Sequence, residues 1–306
     1  MMNSIKKQLS LLSPANWPAW IGLSCLWLIT RLPYRWQMWT GRLIGKIIYK
    51  SSAKLRHITE VNITLCFPEL SLQQRTALIK KNFASLGIGL IETAMAWWLP
   101  DSRLQQCSVT LTGVEYAEQA FAKGKGIILL GPHFTCLEMI GRLLGAKYSF
   151  AVIYRPHKKQ LISHIQERFR KKYRIKHIAR HRVRELLRTL NENTAIWYAY
   201  DIDGGEKRSV FAPFFGIPTA SLTAVSRIVE LSGATIIPIN FHRLDDRFGY
   251  EINLSPPLEN FPSDSLLDDA TRLNASLEKA IRAKPEQYIW QYKRFKTRPP
   301  GEKRFY

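Results

Sequence analysis

The sequence has few cysteines, few acidic residues and none of the usual nucleotide-binding motifs. Its four cysteines, at positions 25, 66, 107 and 136, form no C-x-x-C pair and no zinc-binding spacing, which indicates reduced thiols in the cytosol. Neither a Walker A loop nor a G-x-G-x-x-G motif is present, so no nucleotide cofactor is indicated. Internal repeats and low-complexity tracts are also absent.

Acidic residues are outnumbered by basic ones, 24 Asp+Glu against 45 Lys+Arg, which gives a formal net charge of +21. An excess of this size indicates an anionic partner such as nucleic acid, an acidic membrane surface, phosphorylated lipid or an acidic protein. Residues 155–188 alone hold 13 Lys+Arg and two acids. Because solvated helix faces normally mix both signs of charge, this segment favours phosphate binding. The hydrophobic content of 46% excludes general disorder.

The N-terminal segment predicts contact with a membrane. Residues 8–30 carry no charge and include three tryptophans, and cations stand on both sides of them. Two prolines make a spanning helix marginal, so an interfacial helix or a short, tilted anchor is favoured, with a buried core helix as the alternative. A second, amphipathic helix is predicted at 34–50. We therefore predict membrane-anchoring helices in residues 1–50 and an α/β domain in 51–306, and membrane attachment makes nucleic acid a poor partner.

From about residue 107 the sequence alternates between strand-like and helix-like segments, behind a helical region. This alternation predicts an α/β domain with a largely parallel sheet flanked by helices. A capping box, Ser71-Leu-Gln-Gln74, predicts the start of a long helix that runs to Pro100. The predicted strands are 109–112, 126–130, 148–154, 194–200, 234–241 and 250–254, and the predicted helices between them are 114–122, 158–174, 182–190 and 222–231.

His133 lies between an apolar strand and a helix that is predicted to start at the N-cap Thr135. Loops at the carboxyl ends of parallel strands commonly hold catalytic residues. With His133 in the turn and Glu138 in the first helical turn, the carboxylate can reach the imidazole and fix its tautomer, which leaves the other ring nitrogen to remove a proton. The alternative is a capping box, in which Glu138 only bonds the backbone N–H of Thr135.

Asp201 and Asp203 follow another predicted strand and point towards the same edge of the sheet. Their D-x-D-G pattern suggests a metal, but a calcium loop would need an acid where Ala212 stands. We therefore predict that Asp201 pairs with an active-site arginine or supports its loop. Further on, Arg208 lies beside an apolar cluster, a mixture that suits a ligand with an anionic head and an aliphatic tail.

Together these motifs resemble the late acyltransferases of lipid A biosynthesis, the lauroyl/myristoyl family of Gram-negative bacteria. The motifs occur in order along nearly the whole chain, which makes the resemblance more specific than the histidine–glutamate spacing alone. They are the N-terminal membrane helix, Asn62 with Phe67-Pro68-Glu69, Gly131-Pro-His133-Phe-x-x-x-Glu138, Tyr154-Arg155-Pro156, Trp197-Tyr-Ala-x-Asp201-x-Asp203, Arg208-Ser-Val-Phe-x-Pro-Phe-Phe, and the segment from Pro285 to Pro299.

The resemblance implies a membrane-bound enzyme with a glycerol-phosphate-acyltransferase-like core. Such an enzyme transfers a fatty acyl chain from acyl carrier protein to a hydroxyl of a Kdo-bearing lipid A precursor, an anionic glycolipid. The reaction takes place at the cytoplasmic face of the bacterial inner membrane and needs no metal or dissociable cofactor. The positive surface of the chain would also attract the acidic carrier protein.

The resemblance assigns the catalytic pair to His133 and Glu138, with His133 as the general base and Glu138 stabilising the imidazolium. His133 would deprotonate the acceptor hydroxyl, and donors near the following helix N-terminus would stabilise the oxyanion. Arg170 and Asp201 match further functionally important positions, and we add Arg155 and Arg208. The predicted substrate-binding residues are therefore Arg155, Arg170, Asp201 and Arg208.

Three alternatives stay open at this point. Cys136, at a helix start near a histidine, could form an acyl-enzyme. The acceptor could be another phospholipid or glycolipid. The chain could also be a non-catalytic membrane protein that binds anionic lipid, with His133 and Glu138 in structural roles.

Overall fold

The N-terminal third of the chain is helical, and a mainly parallel sheet follows it. The computed structural model describes residues 13–154 and 160–306. Its helices are α1 (Trp17–Ile29), α2 (Tyr34–Ser51), α3 (Ala53–Cys66), α4 (Leu72–Trp98), α5 (Asp101–Leu104), α6 (Val114–Ala122), α7 (Leu137–Gly145), α8 (Gln160–Lys172), α9 (Val183–Asn191), α10 (Ala224–Ser232) and α11 (Leu266–Ala283). Its strands are β1 (Ser108–Thr112), β2 (Ile127–Gly131), β3 (Phe150–Tyr154), β4 (Ile175–Ala179), β5 (Ala195–Ala199), β6 (Ser209–Phe214), β7 (Ile217–Leu222), β8 (Thr235–Arg243) and β9 (Gly249–Leu254).

Within the described residues, the main sheet has the strand order β1-β9-β8-β2-β5-β3-β4. The strands from β8 to β4 are parallel to one another, whereas β9 is antiparallel to β8 and pairs in parallel with β1. Strands β6 and β7 form a separate antiparallel hairpin. The predicted α/β fold, with a largely parallel sheet flanked by helices, is therefore confirmed. The likeness of this core to the glycerol-phosphate acyltransferases and the domain boundary at residue 50 stay predictions.

The predicted elements end within about two residues of the observed ones. Helix α4 begins with the predicted capping box, in which the Ser71 hydroxyl accepts from the backbone N–H of Gln74 and the Gln74 side chain accepts from that of Ser71. The prediction omitted β4, the β6–β7 hairpin, α11 and the one-turn helix α5. The sequence of β4, Ile-Lys-His-Ile-Ala, mixes charged and apolar residues inside the most basic part of the chain, which obscured it.

The predicted start of α7 is wrong. Helix α7 begins at Leu137 with Cys136 as its N-cap residue, and no side chain caps it. The Thr135 hydroxyl instead lies 2.9 Å from the Ser85 hydroxyl of α4. This tertiary contact directs the hydroxyl away from the N-terminus of α7. The alternative capping box between Thr135 and Glu138 is therefore not formed.

Helices α1 and α2 leave a large apolar surface uncovered. In α1 the one buried residue is Leu23, which contradicts the alternative of a buried core helix. In the ranges 13–154 and 160–306, no helix has the length and apolar character needed to cross a membrane. The exposed large apolar side chains of this region are Trp17, Ile21, Trp27, Leu28, Leu32, Trp36, Trp39, Leu43 and Ile47.

The face of α2 opposite its exposed apolar residues packs closely against α4. The backbone of Gly41 lies so near Ile88 that an added Cβ atom would stand 2.7 Å from the Ile88 Cα. Helix α4 is in turn fixed to the sheet by a buried ion pair, in which Arg243 of β8 donates to Glu92 at 2.7 Å. The Tyr250 hydroxyl donates to the other oxygen of Glu92 at 2.6 Å. These contacts make α4 a rigid support behind the sheet.

Candidate active site

The register of two parallel strands brings His133 and Asp201 together. Strands β2 and β5 are neighbours, and Gly131 at the end of β2 pairs with Ala199 at the end of β5. His133 and Asp201 each stand two residues beyond those paired positions. Side chains that leave parallel strands at their carboxyl ends gather at one edge of the sheet, so residues 68 positions apart in sequence become neighbours.

Asp201 holds His133 through two hydrogen bonds. One carboxylate oxygen, Oδ2, accepts from the backbone N–H of His133 at 2.8 Å, and the other, Oδ1, lies 2.6 Å from the imidazole Nδ1. The carboxylate side chain is 1% exposed, whereas the imidazole keeps 35% of its surface accessible. With Nδ1 paired to the carboxylate, Nε2 is the ring nitrogen left to exchange a proton.

The pKa values of this pair move apart. Burial by itself lowers the pKa of His133, but the charge and hydrogen bond of Asp201 outweigh it and hold that pKa above its ordinary value. Burial raises the pKa of Asp201, yet the charge and hydrogen bonds of His133 bring it below the ordinary aspartate value. The carboxylate therefore stays ionised and stabilises the imidazolium.

The predicted pairing of His133 with Glu138 is not what the structure contains. Among the described residues, Glu138 accepts hydrogen bonds from Gln166 at 2.6 Å and from Arg170 at 2.5 Å, and none from His133. Glu138 is the second residue of α7, and its carboxylate turns towards α8, whose side chains supply both donors. Asp201, which was predicted to pair with an arginine or support its loop, takes the position beside the imidazole.

The C-terminal segment fixes the loop that carries His133. The backbone N–H of Ile289 donates to the carbonyl of His133 at 3.0 Å, and that of Thr135 donates to the carbonyl of Gln287 at 2.9 Å. Asn82 of α4 in turn donates to the carbonyl of Tyr288 at 2.7 Å. The loop that carries His133 is thus bound between the sheet and this segment, which limits its movement.

His133, Glu138 and Arg170 line one cavity of about 470 Å³. Its polar groups come from these residues and Gln166. The rest of its lining is almost entirely apolar and comes from α7, the strands of the sheet and Ile289 of the C-terminal segment. These apolar residues are Leu129, Leu137, Ile140, Gly141, Leu144, Phe150, Val152, Ile153, Ile175, Ile239, Phe241 and Ile289, together with the aromatic side chains of Tyr154 and Trp197.

The other predicted site residues have separate positions. Arg155 lies outside the described residues. Arg208 ends a short 3-10 helix, is exposed, and does not line the cavity in the part of the chain that the structure describes. Asp203 accepts from the backbone N–H and the hydroxyl of Thr297 at 2.8 and 2.9 Å, so its carboxylate supports a loop.

Sequence reasoning missed two residues of the site. Gln166 donates to Glu138, and the Trp197 ring meets the imidazole edge-on, with centroids 5.5 Å apart. His133 and Asp201 stand at equal offsets from the ends of their strands, a signal that identifies them as partners once β2 and β5 are known to be neighbours. No local pattern marks Gln166, because α8 reaches the site only through tertiary packing.

Cys136 is fully buried, at 0% exposure. Burial, and to a smaller extent the charge of Glu92, raises the pKa of its thiol far above the usual cysteine value. A protonated thiol without access to the cavity does not form an acyl-enzyme, and this alternative is contradicted.

Comparisons with known proteins cover nearly the whole chain. A family model described as bacterial lipid A biosynthesis acyltransferase matches residues 4–297. The chain is 36% identical over 296 residues to the lipid A biosynthesis palmitoleoyltransferase of Escherichia coli K12, covering 96% of each protein. It is 35% identical over 302 residues to the lauroyltransferase of the same organism, covering 98% of each. The myristoyltransferase of that organism is 24% identical over 297 residues, with 94% of this chain and 90% of the relative covered.

Proposed function

The chain belongs to the bacterial lipid A biosynthesis acyltransferases, and on that premise we propose that His133, oriented by Asp201, is the general base of its acyl transfer. The observation that carries this proposal is a histidine–aspartate pair whose imidazole lines a largely apolar cavity. The cavity offers room for an aliphatic chain, and the imidazole offers the proton acceptor. Both are needed where an acyl thioester meets a hydroxyl.

In the proposed reaction, Nε2 of His133 takes the proton of the acceptor hydroxyl as its oxygen attacks the thioester carbonyl. The new C–O bond forms, the C–S bond breaks, and the imidazolium returns the proton to the departing thiolate. Asp201 keeps Nδ1 protonated and stabilises the imidazolium, as the acid does in serine-hydrolase triads. The buried position of Asp201 strengthens this effect because little water screens it.

Glu138 has a positioning role in this proposal. Its carboxylate holds Gln166 and Arg170 at the polar end of the cavity through bonds of 2.6 and 2.5 Å. Arg170 keeps further guanidinium donors that suit a phosphate or sugar acid of the acceptor. Arg155 and Arg208 stay proposed substrate contacts on the strength of the sequence motifs that contain them.

The proposed donor is acyl carrier protein and the proposed acceptor a Kdo-bearing lipid A precursor. The net charge of +21 supports an acidic donor protein and an anionic acceptor. The relatives named for palmitoleoyl, lauroyl and myristoyl transfer support a medium or long acyl chain. We propose that the acceptor is reached at the cytoplasmic face of the inner membrane.

The exposed face of α2 supports attachment to that membrane. Trp36, Trp39, Leu43 and Ile47 are 41–58% exposed and recur at spacings of three and four residues. At 100° per residue they fall within an arc of about 80°, which forms one apolar stripe. Tryptophans on such a stripe, with Arg and Lys beside it, are typical of an interfacial helix.

Family membership bears on two alternatives that the sequence left open, a purely lipid-binding role and a different acceptor. Family membership makes the protein an acyltransferase, which sets aside a purely lipid-binding role. It also favours lipid A over another phospholipid or glycolipid as the acceptor. A panel of acceptors with mass spectrometry of the products tests the second point.

The deciding experiment measures transfer from acyl carrier protein to lipid A precursor for His133→Ala, Asp201→Asn and Glu138→Gln. Asp201→Asn should lower kcat by about 10⁴-fold, as replacing the aspartate of a serine-hydrolase triad does, and His133→Ala should lower it further. Glu138→Gln should cost about 10²-fold through a misplaced substrate.

Asp203→Asn is the matched control, because it changes a carboxylate two residues away in the same loop that bonds only Gly205 and Thr297 among the described residues. Its turnover should stay within a few-fold of the wild type. If Glu138→Gln were much more damaging than Asp201→Asn, Glu138 and not Asp201 would be the partner of the base.

A further inference from the structure

A second cavity adjoins the active-site cavity and shares part of its lining. Its volume is about 200 Å³, beside the 470 Å³ of the active-site cavity. Leu129, Leu144, Phe150 and Ile239 line both spaces, and we call these four residues the collar. Because one set of side chains borders both cavities, the two are neighbours and the collar forms part of the wall of each.

Strand register places both cavities over the same face of the sheet. Strand β2 pairs with β5 so that Ile127 lies beside Ala195 and Leu129 beside Trp197, and side chains two residues apart share a face. Trp197 lines the active-site cavity, whereas Ile127 and Ala195 line the second one. A strand rises about 3.3 Å per residue, so these two residues place the second cavity about 7 Å further from His133 along the strands.

Helix α6 covers the second cavity with apolar side chains, among them Val114, Ala117 and Phe121. The polar residues that line the second cavity, such as Glu118, stand at exposed positions on the rim of that cavity. Leu129 has the middle position in β2 and is the one residue of that strand that keeps partial exposure. Its side chain lines both cavities while it also packs against the hydrophobic core.

We propose that the second cavity receives the methyl end of the donor's acyl chain, and that Leu144 and Ala117 determine the chain length that is transferred. This inference rests on the proposed function, because it requires the thioester carbonyl to lie beside His133. From there an aliphatic chain can extend along the sheet face, past the collar, and under α6. Each methylene that enters the second cavity leaves water, until the chain meets the far end and an additional methylene finds no space.

The test is a chain-length profile. Wild type, Ala117→Leu and Leu144→Ala are each given an equimolar mixture of acyl carrier proteins with saturated chains of different lengths, and the acylated lipids are quantified by mass spectrometry. Ala117→Leu fills the second cavity, so the ratio of longest to shortest product should fall by at least about 10-fold, the lower bound for one methylene in an apolar pocket. Leu144→Ala widens the collar, so the same ratio should rise.

Ala122→Leu is the control, because it makes the same substitution at an exposed position of α6 away from both cavities. Its profile should match the wild type. Opposite shifts in the two test variants cannot come from a general loss of folding. An unchanged profile in active Ala117→Leu and Leu144→Ala enzymes overturns this inference alone, whereas a wild type that transfers no chain of any length overturns the proposed function as well.

Discussion

The chemistry of the site depends on which carboxylate faces His133. Asp201 bonds both the backbone and the ring of His133, so it fixes the position of the loop and the tautomer of the imidazole together. Glu138 lines the same cavity but bonds two side chains of α8. Two carboxylates near one histidine thus have separate contacts, because only Asp201 follows the end of β5, the strand adjacent to β2.

The rate of transfer should depend on pH through His133. A general base must be neutral, and the pKa of His133 is raised above its ordinary value of 6.5 by Asp201. The value of kcat/KM should therefore rise with pH to a plateau, with a midpoint above 6.5. In Asp201→Asn the imidazolium loses its stabilising charge while the effect of burial remains, so the midpoint should move to lower pH and the plateau should fall.

The pH–rate profile of Glu138→Gln provides the comparison for this prediction. Because its carboxylate has no hydrogen bond with the imidazole in the described structure, the midpoint should stay near that of the wild type. A shift in Glu138→Gln together with none in Asp201→Asn would contradict the assignment of the pair.

Cys136 should be dispensable for the reaction. Its thiol is fully buried and its pKa is raised, so it is neither ionised nor accessible. Cys136→Ala should keep turnover within a few-fold of the wild type, with a modest loss of thermal stability from the small cavity that it leaves. Trapping an acyl-enzyme on this residue by mass spectrometry would show the expectation to be mistaken.

At the scale of the elements, the two faces of α2 make different kinds of contact. Its small residues allow close packing against α4, while its tryptophans and long aliphatic residues face outward. A core helix would bury those residues, and an ordinary surface helix would place polar residues there. These contacts are the basis of the proposal that α2 lies on the membrane surface.

Removing the stripe should weaken membrane binding. The triple variant Trp36→Ser, Trp39→Ser, Ile47→Ser should lower the vesicle partition coefficient by about 10²-fold, because each half-exposed side chain contributes about 1 kcal/mol when covered by lipid. Vesicles of phosphatidylethanolamine and phosphatidylglycerol and a sedimentation assay provide the measurement. Turnover with detergent-dispersed substrate should change little.

The control for the stripe uses three leucines with similar or greater exposure elsewhere, Leu72, Leu231 and Leu266, each replaced by serine. This variant should partition like the wild type. Equal losses in both triple variants would mean that binding follows general surface hydrophobicity and not α2.

At the scale of the whole molecule, the dominant property is charge. A net charge of +21 should accelerate encounter with an acidic donor protein, and salt weakens such attraction because the screening length falls from about 10 Å at 0.1 M to about 3 Å at 1 M. We expect the KM for acyl carrier protein to rise with salt while kcat stays nearly constant. Steady-state kinetics over a salt series measure this.

An acyl-pantetheine donor serves as the uncharged comparison. It presents the same thioester without the acidic protein, so its KM should respond weakly to salt. If both donors showed the same salt dependence, the positive surface would act on the acceptor and not on the carrier protein.

Much of the fold could be predicted because the necessary information is local. The apolar run of β2 and the capping box at Ser71 depend on residues within a few positions of each other, and both were found where predicted. Strand β4 was missed because its lysine and histidine interrupt the apolar pattern that marks a buried strand. The start of α7 was misplaced because Thr135 bonds a residue from a distant helix instead of capping its own.

The sequence by itself determined the α/β class and the family, and it singled out His133, Glu138, Arg170 and Asp201 as candidate site residues. Only the tertiary structure decided how those residues pair, since that depends on which strands are neighbours and in which register. It alone also gave the two cavities a shared wall, because their linings come from strands and helices far apart in the chain. Local preferences select the elements, whereas packing of the whole chain selects the contacts between them.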